Sequence, residues 1–352
     1  MTFSPAISII VPCRNERANI EQVLQSILSQ ESPRGGFEVI VTDGMSDDGT
    51  RTVLAAMAKN HSILRILDNP GRIVSSGLNG AIRDARGSVI IRMDAHTKYA
   101  SNYVRQCVGV LNETEADNVG GPWVAEGKGL VGRTIAAAFQ SSFAVGGAKG
   151  HDPTYEGNVD TVYLGCWPRQ IFDRIGYFDE ELVRNQDDEF NLRLSRAGGK
   201  IWQSPRIRSW YQPRSSLLGL FRQYTQYGYW KIRVIQKHKL PASGRHLVPG
   251  AFVFALIAFA LGSFWWPSIR LCSLLLIGSY AAFNIAASFL TAIRNGWNLV
   301  LLLPVVFACF HFGYGLGFLR GIWDFLILQR TPDATFTQLT RSSKGAQDST
   351  PA

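Results

Sequence analysis

Four places in this chain gather residue types that could do chemistry together. Asp94-Ala95-His96 closes a short apolar run, Ile90-Ile91-Arg92-Met93, with a carboxylate and an imidazole two residues apart. On a strand end that spacing lets both side chains face one ligand, and both suit a divalent cation. Asn15-Glu16 follows the apolar run 6–12, and Asp43 follows the run 37–42, so each also falls where a strand emerges. Asp187-Asp188-Glu189 precedes a helical pattern, residues 190–197, that Gly198-Gly199 stops. Acids in a first helical turn complement the helix dipole. Adjacent carboxylates also repel and raise the proton affinity of one member, which is the tuning a general base requires.

The elements that must position these residues alternate. The run 6–12 (AISIIVP) reads as a strand, and Ile20, Val23, Leu24, Ile27 and Leu28 then recur at helical spacing. A strand over 37–42 leads into the polar turn 43–50, and Val53, Leu54 and Met57 mark a helix capped by Asp48 or Thr50. Strand 63–67, helix 76–85 and strand 88–93 complete the series and deliver Asp94. Alternating β and α units predict a parallel, doubly wound α/β sheet, whose ligands sit at the carboxyl edge of the strands. Each Asp-Gly or Asn-Glu could be an ordinary turn or cap. Carboxylates at three consecutive strand ends suit a nucleotide with its metal. There is no G-x-G-x-x-G after the first strand and no G-x-x-x-x-G-K-[ST], so hydride transfer and P-loop chemistry lose their main support. Beyond residue 118 the pattern is irregular. Gly120-Gly121-Pro122-Trp123 reads as a turn, 127–150 is rich in small residues, 151–158 is a polar loop, and 160–165 reads as a strand.

The chain has 352 residues and a net charge of +9, unevenly spread. Up to Glu189 there are 24 acids and 18 cations; beyond it there are 18 cations and three acids. That distribution argues against a nucleic-acid partner despite the basic total. Residues 247–266, 271–293 and 299–319 carry no Asp, Glu, Lys or Arg, and each could cross a bilayer core, which takes about 20 residues. Residues 214–245 hold seven cations and no acids, with Leu217, Leu220, Phe221, Tyr224, Tyr227, Trp230 and Val234 three or four apart. This is a basic amphipathic helix suited to an anionic membrane surface or to packing on a neighbour. Five scattered cysteines and an N-terminus that runs straight into a strand fit a cytoplasmic catalytic domain. The expected organisation is a catalytic domain over 1–213, an interfacial helix region over 214–245, membrane helices over 246–330 and a polar, disordered tail over 331–352.

With the sites placed, the chain resembles the family 2 glycosyltransferases over roughly residues 6–230. Its opening is similar to the family's I-V-P-x-x-N-E, here Ile10-Val11-Pro12-Cys13-Arg14-Asn15-Glu16. The V-D-D-G-S-x-D-G-T element corresponds to Val41-Thr42-Asp43-Gly44-Met45-Ser46-Asp47-Asp48-Gly49-Thr50, with Thr42 replacing one Asp and altered spacing at Met45. D-x-D is Asp94-Ala95-His96, and E-D is Gln186-Asp187. These departures, with Gln226-Tyr227-Gly228-Tyr229-Trp230, most resemble the membrane-bound glucosyltransferases of succinoglycan-type exopolysaccharide assembly.

The resemblance implies a GT-A fold: a Rossmann-like, mostly parallel sheet with flanking helices, here followed by a C-terminal α-helical membrane region at the inner (plasma) membrane. It implies that Glu16 and Asp43, with Pro12 and Arg14, hold the uracil and ribose of a UDP-sugar. Asp94 would contact the nucleotide, and Asp94 and His96 would ligate Mg²⁺ or Mn²⁺ on the diphosphate. A neutral imidazole ligand would make metal binding weaken below about pH 6.5. Asp187 would take the proton from an acceptor hydroxyl of a lipid-linked saccharide, supported by Gln186, Asp188 and Gly121, with inversion at the anomeric carbon. Arg72, Arg169, Gln226 and Trp230 are candidates for diphosphate contacts or a lid over the donor. The rival readings are a polyprenyl-phosphate glycosyltransferase, a processive β-glycan synthase, whose Q-x-x-R-W has Tyr229 in place of Arg here, and an inactive membrane scaffold. A third full membrane crossing would strand Arg320, Arg330, Arg341 and Lys344 outside, against the positive-inside tendency; Pro304 and the glycines of 313–317 could instead bend that segment.

Overall fold

The computed structural model describes residues 5–31 and 33–337. They group into two compact units, the first drawn from Met1–Val124 and Asp152–Tyr211, the second from Ala125–His151 and Gln212–Thr340.

The first unit is built on β1 (Ile7–Cys13), β2 (Phe37–Asp43), β3 (Leu64–Asp68), β4 (Val89–Arg92), β5 (Thr97–Tyr99), β6 (Asn118–Gly121), β7 (Val124–Ala125), β8 (Gly157–Asn158), β9 (Tyr163–Pro168), β10 (Ile201–Gln203) and β11 (Ser209–Tyr211). Eight of these form one sheet in the order β3-β2-β1-β4-β9-β6-β10-β8. Parallel pairing of β1 with β2 and β4 sets Cys13 beside Asp43 and Ile10 beside Arg92, so three carboxyl-terminal strand ends share one edge. Because β1 lies between β2 and β4, the strand order reverses there, and an open α/β sheet forms its ligand crevice at such a reversal. The strands are apolar on both faces. Ile7, Ile9, Val11 and Cys13 pack into one core, and Ile10 into the other.

Helices α1 (Ile20–Leu28), α2 (Thr50–Asn60), α3 (Val74–Asp84), α4 (Tyr103–Thr114), α7 (Gln170–Ile175) and α8 (Gln186–Arg196) accompany the sheet. The alternation expected from the sequence is present through β4. Beyond it, β9 runs antiparallel to both β4 and β6, so the sheet is mixed although mostly parallel. The strand expected over 160–165 falls instead at β9, where Leu164 and Gly165 have φ of 66° and 131° and bend the chain into its path.

The second unit contains α5 (Gly129–Phe139), α6 (Ser142–Val145), α9 (Leu217–His238), α10 (Val248–Gly262), α11 (Pro267–Asn295), α12 (Leu303–Gly321), a π-helical turn (Ile322–Ile327) and α13 (Ala334–Thr337). Three helical stretches are long and apolar enough to cross a membrane: Gly244–Gly262, Pro267–Asn295 and Leu303–Ile327. The aromatic side of α9 is covered by α12 through glycines. A Cβ on Gly313, Gly317 or Gly321 would fall 2.9, 1.9 or 2.7 Å from the carbonyl oxygen of Phe221, Thr225 or Tyr229. From the stretch read as the tail, Phe336 and Asp333 contact α9: Trp230 Nε1 donates to the Phe336 carbonyl at 3.0 Å, Phe336 stacks on Tyr229 at 3.9 Å, and the Asp333 N–H donates to the Tyr229 hydroxyl at 3.0 Å. The remainder of the tail, 338–352, lies outside the described residues.

Candidate active site

The loops after β1 and β2 are held to each other by hydrogen bonds. Asn15 adopts a left-handed φ of 54°, a conformation Asn tolerates, and its backbone N–H donates to Ser46 Oγ at 2.9 Å. Its side chain donates to Asp47 Oδ1 at 2.9 Å and accepts the Asp47 N–H at 3.1 Å. The Glu16 N–H donates to Thr50 Oγ1 at 2.9 Å. Asp43 is fully buried beneath this junction, accepting from Ser46 Oγ at 2.5 Å and from Arg51 Nη1 at 3.2 Å. Arg14 lies over Gly44, where an added Cβ would come within 3.1 Å of the arginine's own Cβ, and Pro12 pairs with Thr42 in the strand register. Burial pushes the Cys13 thiol well above its ordinary range, and the charges of Glu16, Asp43 and Asp48 add to that. One buried group thus feels three of the carboxylates. Asp48 is held below the usual carboxylate range: burial opposes this, but the Thr50 hydroxyl and N–H and the Arg17 N–H all donate to it.

At the end of β4 the carboxylate of Asp94 is gripped by Arg92, with Nε to Oδ1 at 2.9 Å and Nη2 to Oδ2 at 3.1 Å. Both residues are buried. The Tyr99 hydroxyl accepts the Asp94 N–H and donates to the Asp94 carbonyl at 3.1 Å. Burial, then the Asp94 charge, keep that phenol protonated well above its usual range. His96 Nδ1 lies 3.5 Å from Glu16 Oε1, which joins the end of β4 to the β1 loop. Trp123 stacks on Tyr163 with ring centres 5.1 Å apart, and Tyr211 meets Trp123 and His96 edge-on at 5.7 and 6.4 Å.

Asp187 reaches this edge on α8. Phe190 and Leu194 are fully buried in the core with Trp167, Phe172 and Phe178, which fixes the helix. Asn185, at a φ of 60°, starts the helix, and Gln186 is buried in its first turn. Of the three acids, Glu189 is paired with Arg193 at 2.9 Å and belongs to the framework. Asp187 and Asp188 are half-buried, and Asp187 Oδ1 accepts the Asp188 N–H at 3.0 Å. Burial works against the Arg92 charge, but Asp94 first and Asp187 next hold its proton far more tightly than usual. Arg92 therefore lies in the field of both the β4 carboxylate and the α8 carboxylate. Gly121 ends β6 where the chain passes Ile207, and a Cβ there would sit 1.9 Å from the Ile207 carbonyl oxygen.

Not every expected residue is brought to this edge. Arg169 lies by the opposite end of β4: its N–H donates to the Ser88 carbonyl at 2.8 Å and its guanidinium to the Ala85 carbonyl. A diphosphate at the Asp94 end is out of its reach, because β4 separates the two. Arg72 is exposed in the turn after β3, with its N–H on the Asn69 carbonyl at 3.0 Å. Gln226 and Trp230 are buried within the second unit. The sequence reasoning missed Arg92, although an arginine two residues before Asp94 in a buried strand shares its face. It also missed Tyr99, Tyr163 and Tyr211, whose strands follow no motif.

Among the described residues, no three His, Cys, Asp or Glu groups lie close enough to hold an ion by themselves. Mg²⁺ is ordinarily bound by one or two protein groups with substrate phosphates completing its shell. His96 and Asp94 fit that partial donor set; each carboxylate oxygen has two lone-pair sites, so the Arg92 fork does not by itself exclude a metal at Asp94.

The model of the family "Glycosyl transferase family 2" matches residues 8–175. The succinoglycan biosynthesis protein ExoA of Rhizobium meliloti is 28% identical over 321 residues, covering 90% of this chain and 95% of its own. A dolichyl N-acetyl-α-D-glucosaminyl phosphate 3-β-D-2,3-diacetamido-2,3-dideoxy-β-D-glucuronosyltransferase of Methanococcus voltae is 26% identical, covering 90% and 97%. The mannosyltransferase PcManGT of Pyrobaculum calidifontis, solved with GDP-Man and Mn²⁺, shares the fold with a TM-score of 0.60 at 19% identity, over 92% of this chain and 88% of its own. Residues 8–175 match the glycosyl transferase family 2 model, and the chain is a glycosyltransferase with the GT-A fold.

Proposed function

We propose that this enzyme transfers a hexose, glucose by its subgroup resemblance, from a UDP-sugar to a hydroxyl of a lipid-linked (polyprenyl-diphosphate) saccharide in exopolysaccharide or cell-envelope glycan assembly. It works at the inner membrane with its catalytic domain on the cytoplasmic side. The observation that carries this reading is Arg92, which feels the charges of both Asp94 and Asp187 at the edge where Glu16, Asp43 and His96 converge. The two relatives' names, one from succinoglycan biosynthesis and one with a dolichyl-linked sugar as acceptor, support a polysaccharide or lipid-carried glycan pathway.

In this mechanism the cross-bonded β1 and β2 loops receive the nucleoside, with Glu16 at their surface and Asp43 fixing their shape from below. Asp94 and His96 would hold Mg²⁺ or Mn²⁺ with the diphosphate end of the donor, and the ion would supply Lewis-acid stabilisation of the departing phosphate. Trp123, Tyr163 and Tyr211 offer apolar ring faces to the sugar. Asp187 takes the proton of the acceptor hydroxyl as its oxygen bonds to the anomeric carbon. The bond from that carbon to the diphosphate oxygen breaks, and its electron pair leaves with UDP. A single displacement inverts the centre, so a UDP-α-sugar gives a β-glycoside. An acceptor that is already an anion, such as a polyprenyl phosphate, would have no use for Asp187 as a base.

The test supplies the full chain in lipid with UDP-hexoses, and GDP-mannose as a control, plus lipid extracts. We expect UDP release and a β-linked product only with a lipid-linked saccharide and a divalent cation. Transfer from GDP-mannose alone would overturn the donor assignment, transfer onto a bare polyprenyl phosphate the acceptor assignment, and full activity in EDTA the metal.

A further inference from the structure

The third apolar helix is unlike the other two. In the most apolar part of Leu303–Ile327, 50% of the residues are buried within the protein, against 11% in that of Gly244–Gly262 and 17% in that of Pro267–Asn295. Its glycines 313, 317 and 321 step along α9 in the order Phe221, Thr225, Tyr229, so the two helices run side by side in the same direction for more than two turns. Gly228 of α9 completes the contact, since a Cβ there would lie 2.0 Å from the Tyr314 carbonyl oxygen. Helix α9 carries Arg222, Lys231, Arg233 and Lys237 with no acid, so it cannot lie across hydrocarbon, where a charge costs about 2.5–3.5 kcal/mol or more. A helix packed parallel along it lies in the same plane.

Both ends of α12 point the same way. Near its start, Phe307 and His311 pack on Phe143, whose carbonyl lies 2.8 Å from His311 Nε2. That partner belongs to α6, in a segment bearing Glu126, Lys128, Arg133 and Lys149. At its far end, Arg320 bonds Asp324 at 3.0 Å and Asp333 at 3.1 Å, and the Tyr229 hydroxyl of α9 donates to Asp324 at 3.0 Å. An exposed arginine paired with the buried Asp324 and the half-exposed Asp333, beside a tyrosine, suits a polar border better than a membrane exit. α12 also meets α10, with Phe312 on Phe252, Gly315 on Val253 and Phe318 on Gly250. The α10–α11 hairpin, by contrast, exposes its apolar surface and carries Phe264, Trp265 and Trp266 at its tip, 81%, 69% and 57% exposed. Exposed aromatic rings at a hairpin end suit a membrane–water boundary.

We propose that only the α10–α11 hairpin crosses the membrane, and that α9 and α12 together form one platform lying in the interface. Residue 337 is then on the same side as α9, and the basic residues Arg320 and Arg330 stay with Lys231–Lys237. The inference rests on the membrane reading above and concerns the path of the chain through the bilayer.

The test uses the full chain with Cys272 and Cys309 changed to Ala, leaving three buried cysteines. Single exposed cysteines are introduced by Lys237→Cys, Ser268→Cys and Thr337→Cys, and a membrane-impermeant maleimide is applied to intact cells and to inverted vesicles. Ser268→Cys should label from the outside of cells, and Lys237→Cys and Thr337→Cys only in inverted vesicles. Labelling of Thr337→Cys together with Ser268→Cys would overturn the platform while leaving the membrane reading intact. Labelling of Ser268→Cys on the same side as Lys237→Cys would overturn both. A fluorescent protein fused to the C-terminus, bright only when it folds in the cytoplasm, reads the same question without a cysteine substitution.

Discussion

The edge of the sheet and the helices of the second unit solve the same problem, holding elements in register, by opposite means. At the sheet edge, polar side chains reach from loop to loop: Asn15 to Asp47, Ser46 to Asp43, His96 towards Glu16, and Arg92 to Asp94. Between α9 and α12, Gly313, Gly317, Gly321 and Gly228 let backbone approach backbone, with Tyr224 packed on Phe310 beside them. The first arrangement presents charge and hydrogen-bonding groups to a ligand. The second presents nothing and only packs. Acids and bases face one another at the sheet edge of the first unit, whereas in the second unit α9 carries cations alone and Arg320 pairs with Asp324 at the end of α12.

If that contrast is right, damage to the two regions will differ in kind. Arg92→Leu leaves Asp94 buried without its partner, and breaking such a pair costs about 3–5 kcal/mol. Thermal unfolding should show that loss, and Arg92→Leu combined with Asp94→Leu should recover much of it; a double variant no better than the single one would mean Arg92 acts by packing alone. A smaller effect is expected at His151 in the second unit, whose proton affinity is pushed down to about 4 by burial and then by Arg245. A histidine held neutral in the fold contributes its full stability above its unfolded value near 6.5 and loses it as pH falls towards 4. The loss is at most about 3 kcal/mol, reduced by screening because the ring is partly exposed. The difference in unfolding between the wild type and His151→Gln should therefore shrink between pH 6.5 and 4, and a pH-independent difference would contradict the burial. Gly317→Ala would place a methyl 1.9 Å from the Thr225 carbonyl, and overpacking of this kind costs about 1–3 kcal/mol. Gly278→Ala, on α11 with nothing within 4 Å, should be neutral or slightly stabilising, and equal losses at the two glycines would remove the backbone-contact account.

The same contrast explains what could be read in the sequence. Strand ends carrying Glu16, Asp43 and Asp94 were legible because a buried strand is a run of apolar residues and its exit is marked by the first polar one. Parallel register then brings such exits together without further information. Arg92 was passed over because a charge inside a buried run looks like an irregularity until its partner two residues on is placed beside it. The helices α5 and α6 fall in a stretch that reads as irregular because glycine and alanine dominate GLVGRTIAAAF, and Gly127 approaches Gly132 so closely that a Cβ would fall 1.9 Å from its carbonyl. Those helices fold with the second unit, which no composition boundary announces. Gly313 and Gly317 read in the sequence as places where the chain could bend, whereas they are places where another helix comes close. A glycine has no side chain to say which.

The account depends most on Asp187. Donor binding and turnover should be measured side by side in Asp187→Asn, using titration with the UDP-sugar and release of UDP in the presence of acceptor. The account predicts donor affinity like that of the wild type with turnover lowered by about 10²–10⁴-fold, and a much smaller loss for Asp188→Asn. Wild-type turnover by Asp187→Asn would contradict it.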